Sequence, residues 1–319
     1  MTLSLKEIEK ARERIAPHIV RTPLLRLKSL DEHLGCEVYA KPECMQVTGS
    51  FKFRGAMSKI LSLSEDELQR GIVAASSGNH GKAIAYASRT LGIKATIVLP
   101  YNAAQVKVDM IRKWGAEIVQ CDVAERFEVA ERIAADNGAT LVPPFNDEII
   151  MAGQGTAGLE IVEERPDLDA IIVPASGGGL IGGVSTAIKA TSPNTKVYGA
   201  EPAALPRWTA SLAVGHPITV EKKPTIADAL LSLIPGDVCF PYVASNVDSF
   251  ADVAEECILK GMKLIVTEGK LLCEPSSGIG AGAILQGLIP VKETDKVCLF
   301  VSGGSVSLEQ LRPLEDIEI

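Results

Sequence analysis

Clusters of basic residues are lacking in this 319-residue sequence. Its 40 acidic residues outnumber its 32 basic ones, for a net charge of −8, and no dense run of lysine and arginine occurs. A nucleic-acid-binding surface is therefore not expected. Histidines are few, four in all, and none has the spacing of a zinc site, so we expect no structural zinc.

Paired cysteines and long apolar runs are lacking too. The seven cysteines are scattered without a CxxC pair, and residues 1–15 contain no apolar signal-peptide core, which favours reduced thiols in a cytoplasmic protein. The longest weakly charged run, residues 170–188, contains Pro174 and three successive glycines, which would break a membrane helix. We expect a buried strand, a loop and a helix start there, and no contact with a membrane.

Strand-like and helix-like segments alternate through the middle of the chain. Short apolar runs predict strands at 71–75, 94–99, 117–121, 140–142, 170–173 and 196–200. Helices are predicted at 82–91, 104–114, 123–137, 147–164 and 180–190. Strands separated by single helices predict an α/β fold with parallel sheets covered on both faces. We place a small α/β domain at residues 71–146 and a large domain at 1–70 plus 147–319.

Residues 48–52 (TGSFK) form the most informative stretch. A strand-like segment leads into a glycine turn, small hydroxyl residues stand where a helix N-cap is expected, and a helix is predicted from Ser50 to Leu61. Lys52 would lie at the helix start between two phenylalanines, where desolvation and the helix dipole favour its neutral, nucleophilic form. The usual covalent partner of such an amine is an aldehyde such as pyridoxal phosphate (PLP). By residue type alone, a solvated surface lysine is the commoner interpretation.

A glycine motif at residues 176–183 (SGGGLIGG) lies between a predicted strand and a predicted helix. Glycine backbone amides can approach a phosphate closely at a helix start, and the helix dipole favours the anion. Gly177, Gly179 and Gly182 also match the GxGxxG dinucleotide pattern, with Glu201 after the next strand as a candidate ribose ligand. A nicotinamide-dependent dehydrogenase and a tight turn without ligand are therefore alternatives for this motif.

An apolar strand predicted at 296–301 runs into residues 302–305 (SGGS) near the C-terminus. The glycine turn would present a serine hydroxyl at a strand end, where it could hydrogen-bond a heterocycle nitrogen. An ordinary surface turn is the alternative for this segment taken alone.

Seven motifs occur in the order TGSFK, SSGNHG, MAGQGT, SGGGLIGG, EP, CEPSSG and SGGS. This order resembles the fold-type II PLP enzymes, and among them the threonine/serine dehydratase and serine racemase group. The resemblance covers roughly residues 22–305. It implies a tryptophan synthase β-like α/β fold of two three-layer, parallel-sheet domains with the active site between them. It also implies a homodimer that acts on a small amino acid.

The resemblance implies roles for individual residues. Lys52 would hold PLP as a Schiff base and take the α-proton, while Phe51 would pack beside the cofactor. Asn79 would hydrogen-bond the ring 3′-hydroxyl, and Ser302 would face the pyridine nitrogen. The phosphate would bind the backbone amides of Ser176, Gly177, Gly178, Gly179 and Leu180. The substrate carboxylate would be surrounded by Ser76, Ser77, Gly78, Asn79 and His80.

The serine at the pyridine nitrogen bears on the reaction type. It cannot stabilise a pyridinium as a carboxylate would, so the ring is a weaker electron sink and a β leaving group favours elimination. We expect loss of water from a 3-hydroxy amino acid (threonine, serine, 3-hydroxyaspartate or phenylserine), giving a 2-oxo acid and ammonia. A serine racemase with side dehydratase activity is the alternative, with Ser77 as a second base opposite Lys52. Ser77 as a plain carboxylate-loop hydroxyl, and a non-catalytic PLP-binding protein, also remain open.

Two departures from the family pattern concern metal and pocket shape. The family's metal site uses the glutamate of the EP motif, here Glu201, and an acidic residue a few positions on, where this sequence has Arg207. We expect Glu201 and Arg207 to pair, so that no divalent cation is needed. Ala229 stands in place of a glycine close to the cofactor, which is expected to reshape the pocket.

Overall fold

The computed structural model describes residues 2–103 and 105–319. In chain order its elements are α1 (Leu5–Ile15), β1 (Leu25–Arg26), α2 (Asp31–Leu34), β2 (Glu37–Pro42), α3 (Lys52–Ile60), α4 (Glu65–Arg70), β3 (Ile72–Ala75), α5 (Asn79–Leu91), β4 (Ala95–Pro100), α6 (Gln105–Lys113), β5 (Glu117–Cys121), α7 (Arg126–Asn137), β6 (Thr140–Leu141), α8 (Glu148–Glu164), β7 (Ala170–Pro174), α9 (Gly179–Thr191), β8 (Lys196–Pro202), α10 (Arg207–Val214), α11 (Phe240–Asn246), β9 (Ser249–Val253), α12 (Glu255–Thr267), α13 (Pro275–Leu285), β10 (Lys296–Val301), α14 (Leu308–Leu311) and α15 (Pro313–Asp316). Ala104, where one helix was predicted to begin, lies outside the described residues. Within these ranges, no helix is both long enough and apolar enough to cross a membrane.

The strands form two sheets. The larger has the order β1-β2-β10-β7-β8-β9 and the smaller the order β5-β4-β3-β6. All neighbouring strands are parallel except the edge pair β1–β2, which is antiparallel. The predicted α/β fold with parallel sheets is confirmed, and each strand predicted at 71–200 lies within two residues of its observed bounds. The antiparallel edge strand was not predicted.

Helices cover both faces of each sheet. Successive side chains of a strand point to opposite faces, and both sets are apolar here, so both faces are buried. On β7, Ile171 and Val173 join the core formed with α1, α8 and α9, whereas Ile172 joins the core formed with α12 and α13. The smaller sheet has the same arrangement, with α3, α5 and α6 on one face and α7 on the other. Residues of α3 and α1 thus share the core of the smaller sheet, although they precede residue 71. The domain limits at 71–146 stay a prediction.

Helix α8 packs closely against both α3 and α9 because glycines line its contact faces. A Cβ atom at Gly153 would lie 2.6 Å from the Arg54 carbonyl oxygen on α3. A Cβ atom at Gly155 would lie 2.7 Å from the Gly183 carbonyl oxygen on α9. Real Cβ atoms do not approach this closely, so any side chain at either position would push the helices apart.

A cluster of buried charges fixes α3 to the larger sheet. The Arg54 guanidinium on α3 donates to Glu43, with both distances 2.8 Å, and to Glu160 on α8 at 2.7 and 2.8 Å. Lys41 at the end of β2 donates to Glu160 at 2.6 Å, and Thr22 donates to Glu43 at 2.7 Å. Burial alone would raise the pKa of Glu43, but the charge and hydrogen bonds of Arg54 hold that pKa below its usual value. Glu43 is therefore ionised, and the two buried carboxylates lie against two basic side chains, those of Arg54 and Lys41.

We expect Arg54→Met to destabilise the protein by about 3–5 kcal/mol, because it leaves two buried carboxylates with Lys41 as their remaining cation. Urea unfolding followed by circular dichroism would measure the change in the free energy of unfolding. The matched control is Arg12→Met, which removes a half-exposed ion pair with Glu163 and should cost less than about 1 kcal/mol. Equal, small effects of the two substitutions would contradict a structural role for the buried cluster.

Candidate active site

Lys52 is the first residue of α3, and its environment favours a neutral amine. The side chain is half-buried, and Nζ donates to the carbonyl oxygen of Pro144 at 2.5 Å. Nζ also lies 5.1 Å from the centre of the Phe51 ring. Burial lowers the pKa of Lys52 to about 8, against a smaller opposing effect of Cys239 and Glu274. The shift has the direction expected from the sequence, and it makes Lys52 a nucleophile near neutral pH.

The segment before Lys52 pairs through its backbone with the segment that follows β10. Ser50 forms an isolated antiparallel bridge with Gly303, and the Phe51 amide donates to the Ser302 carbonyl oxygen at 3.1 Å. The structure thus brings the TGSFK and SGGS motifs together. The expected cap by a small hydroxyl residue is wrong, because Phe51 occupies the N-cap position and no side chain caps the helix. The buried hydroxyl of Ser50 has no hydrogen-bond partner among the described residues.

The SSGNHG motif links the end of β3 to the start of α5. Ser76, Ser77 and Gly78 form the connection and are half-buried. The helix begins at Asn79, three residues earlier than predicted, so Asn79 and His80 are helical rather than part of the turn. The amides at this helix start are available to bind an anion such as a carboxylate.

His80 does not direct its ring toward the predicted carboxylate position. The ring is buried, and Nε2 donates to the Val142 carbonyl oxygen at 2.9 Å. Burial and the nearby Lys52 charge lower the pKa of His80 to about 3, so the ring is neutral. A contribution of His80 to carboxylate binding would therefore come from its backbone amide.

Glu274 is a site residue that sequence reasoning missed. Asn79 Nδ2 donates to its two carboxylate oxygens at 2.9 and 3.0 Å. Burial raises the pKa of Glu274 to about 7, while the hydrogen bond from Asn79 opposes the rise and Asp228 adds to it. Its place before Pro275 in the CEPSSG motif supported the family resemblance, but the pattern alone indicated no role. The Glu274 amide donates to the Gly303 carbonyl oxygen at 3.0 Å, and the hydroxyl of the neighbouring Ser302 meets the Ser277 hydroxyl at 3.2 Å.

The glycine loop reaches the start of α9 in a conformation that favours glycine. Gly178 has a φ of +106°, and a Cβ atom there would lie 2.5 Å from the Trp208 ring. A Cβ atom at Gly177 would lie 2.3 Å from the Phe145 ring. Ser176 is held on both sides, since its carbonyl oxygen accepts from Trp208 Nε1 at 2.7 Å and its hydroxyl accepts from the Ser232 amide at 3.2 Å. The loop is therefore fixed in shape, with no room for side chains.

A buried amide joins the N-termini of α3 and α9. Gln154 on α8 is 1% exposed, yet neither its Oε1 nor its Nε2 has a hydrogen-bond partner among the described residues. A Cβ atom at Gly55 would lie 2.9 Å from Nε2, and one at Gly179 would lie 2.8 Å from Oε1. Such orphaned atoms are rare in proteins and often mark the place of a ligand. The bare glycine amides, the helix start, the unpartnered amide and the nearby lysine together fit the phosphate and aldehyde of PLP.

Glu201 is not available to bind a ribose. Its carboxylate is fully buried and accepts from the Trp208 amide at 2.9 and 3.0 Å and from the Thr209 amide at 2.9 Å. Arg207 Nε lies 3.7 Å from the same carboxylate, as an ion pair with both side chains fully buried. Burial raises the pKa of Glu201 and lowers that of Arg207. The dehydrogenase alternative loses its expected acidic ligand.

The surroundings of Glu201 also bear on metal binding. No cluster of three histidine, cysteine or acidic side chains is placed for a metal within residues 2–103 and 105–319. The Glu201 carboxylate is satisfied by three hydrogen bonds from two backbone amides and by the guanidinium of Arg207. A local magnesium or calcium site would need several oxygen ligands around this carboxylate.

A strong chelator should therefore change activity little and the melting temperature by less than about 2 °C, since a resident guanidinium supplies the positive charge. Differential scanning calorimetry with EDTA, and again after adding magnesium, would measure this. A large loss of thermal stability with EDTA that magnesium restores would show that other oxygens complete a site. The placing of Arg207 where the family has an acidic ligand would then be wrong.

Comparison with known proteins agrees with this geometry. The family model of pyridoxal-phosphate-dependent enzymes (PALP) matches residues 15–303. Serine racemase of Oryza sativa is 41% identical over 310 residues, covering 95% of this chain and 91% of that protein. L-threonine ammonia-lyase of Thermotoga maritima is 41% identical over 311 residues, covering 97% and 77%. The structure of maize serine racemase superposes with a TM-score of 0.93 at 38% identity, covering 98% and 97%. The chain belongs to the family of pyridoxal-phosphate-dependent enzymes.

Proposed function

We propose that the protein eliminates water from a 3-hydroxy amino acid and forms a 2-oxo acid and ammonia. One observation carries the proposal: three sequence motifs meet around Lys52, whose pKa is lowered. Gln154 lies against both the first turn of α3 and the glycine start of α9, and the Ser50–Gly303 bridge joins the start of α3 to the end of β10. The Ser302 hydroxyl there meets another hydroxyl, that of Ser277. Relatives named L-threonine ammonia-lyase and L-threo-3-hydroxyaspartate ammonia-lyase support the reaction class.

Different residues of the chain would bind the cofactor, bind the substrate and transfer protons. When bound, PLP would supply an electron sink, and Lys52 would hold it through its aldehyde. The amides of residues 176–180 would bind its phosphate at the positive end of α9, and those of residues 76–80 would bind the substrate carboxylate at the start of α5. Lys52 takes the α-proton, since its lowered pKa leaves much of the amine unprotonated near pH 8. The departing β-hydroxyl must take up a proton, and the cofactor phosphate and the Ser77 hydroxyl are the two candidate donors.

Serine racemisation is the second candidate, and one observation favours it. Ser77 lies in the β3–α5 connection and Lys52 at the start of α3, so separate elements carry the two groups. A racemase needs one proton-transferring group on each face of a planar carbanion. The serine racemases of rice and Dictyostelium discoideum, 41% and 40% identical, support this alternative.

We also propose that the protein is a cytoplasmic homodimer with residues 71–146 as its small domain. All seven cysteines are free thiols, which suits a reducing compartment. Sedimentation equilibrium would test the dimer directly.

Lys52→Ala should lower turnover by roughly a thousandfold or more, because one amine serves both cofactor attachment and α-proton transfer. The assay is 2-oxo acid formation from threonine, serine, 3-hydroxyaspartate and phenylserine, together with covalent cofactor retained after borohydride reduction. Lys59→Ala on the same helix, which removes an ion pair with Asp147, is the matched control and should keep its activity. Undiminished turnover by Lys52→Ala, or no 2-oxo acid from any of the four substrates with the wild type, would overturn the proposed function.

Ser77→Ala should abolish any interconversion of L- and D-serine and leave elimination from at least one enantiomer measurable, since the two faces need separate groups. Chiral chromatography of serine and assay of pyruvate in the same reactions would separate the two activities. Equal loss of both would show that Ser77 serves the carboxylate loop alone. A wild type without racemisation would remove the support for the second candidate.

A further inference from the structure

A buried lysine that the reaction does not use lies one turn into α5. Lys82 is 8% exposed, and its Nζ donates to the hydroxyl of Ser305 at 2.8 Å. The Ser305 hydroxyl in turn donates to Oδ1 of Asn79, and Asn79 Nδ2 donates to Glu274. The four side chains come from α5, the segment after β10 and the residue before α13, so the chain of hydrogen bonds ties together three separate parts of the sequence.

The chemistry of Lys82 sets the donor-to-acceptor direction of this series of hydrogen bonds. An ammonium group has three donors and no acceptor, so the Ser305 oxygen must accept from Lys82. A hydroxyl has a single hydrogen, which Ser305 therefore gives to Asn79 Oδ1. The amide of Asn79 consequently turns its nitrogen toward Glu274.

The orientation of Asn79 leaves one hydrogen for a ligand. The two oxygens of one carboxylate subtend a narrow angle at Nδ2, so a single N–H of the amide serves both contacts with Glu274. The second N–H is then left for another acceptor. A Cβ atom at Gly303, which pairs with Ser50 two residues before Lys52, would lie 3.1 Å from this nitrogen. With the amide reversed, Asn79 would offer an oxygen to the ionised Glu274 carboxylate, and that contact would be repulsive.

We propose that Lys82 and Ser305 are positioning residues that hold the Asn79 amide with its nitrogen toward Glu274 and toward the ring hydroxyl of PLP. This proposal rests on the proposed function, because it requires PLP in the site, and it takes from the family resemblance that Asn79 would meet the ring hydroxyl. Neither Lys82 nor Ser305 touches the reacting atoms. Their effect on the cofactor passes through the amide of Asn79.

The test measures the cofactor in Lys82→Met, Ser305→Ala, the double variant and Lys82→Arg. Each single substitution should shift the absorbance maximum of the enzyme-bound cofactor and raise the dissociation constant of PLP by about tenfold, the usual scale for one hydrogen bond to a charged group. The double variant should be no worse than either single variant, because both break the same chain. Lys82→Arg should restore the wild-type spectrum, since a guanidinium also has donors only.

A matched control separates positioning from folding. Lys189→Met removes a half-buried lysine bonded to Asp248 near the C-terminal end of α9 and should leave the spectrum unchanged. Wild-type spectra and PLP affinity in Lys82→Met and Ser305→Ala, or strictly additive losses in the double variant, would overturn the proposal. The proposed function fails separately, if the wild type forms no 2-oxo acid while its cofactor spectrum still responds to Lys82→Met.

Discussion

The buried charge cluster around Arg54 is the constraint on which the site depends. Arg54 follows Lys52 by two residues on α3, and its guanidinium is held by Glu43 next to β2 and by Glu160 on α8. Moving α3 away from the larger sheet would leave these buried charges unpaired, at a cost of several kcal/mol. The ion pairs therefore fix the position of the first turn of α3. The bridge between Ser50 and Gly303 fixes the same turn from its other end.

Helix α8 connects this constraint to the glycine start of α9, where we propose that the phosphate binds. Glycines at 153 and 155 let it touch the backbones of α3 and α9, and Gln154 between them lies against the first turns of both helices. The two helix starts, each with a positive dipole end, therefore open toward the same place. The packing of α8 against α3 and α9 sets the separation between the Lys52 amine and the glycine start of α9. A fixed separation suits a cofactor that carries an aldehyde and a phosphate on one rigid ring.

The sequence predicted what depends on local pattern. Periodicity was enough for the parallel strands, and the glycine motif was enough for the start of α9. The place of Lys52 at a helix start between two phenylalanines was enough for the direction of its pKa shift. The contact of Glu274 with Asn79 joins residues 195 positions apart, and no periodicity reports such a pairing. The absence of a side-chain cap on α3 was also beyond local rules, because the long-range Ser50–Gly303 bridge lies just before this helix. Helix α5 begins three residues earlier than predicted, at Asn79.

The pH dependence of PLP attachment to the cofactor-free protein tests the central claim, that burial at the start of α3 makes Lys52 the nucleophile. Borohydride reduction at each pH, followed by mass spectrometry of the peptide that contains Lys52, would give the rate of attachment at this residue. Because only the neutral amine attacks an aldehyde, the rate should rise with pH through a midpoint near the lowered pKa of about 8. A midpoint near that of a solvated lysine, or an adduct on another lysine, would contradict the account.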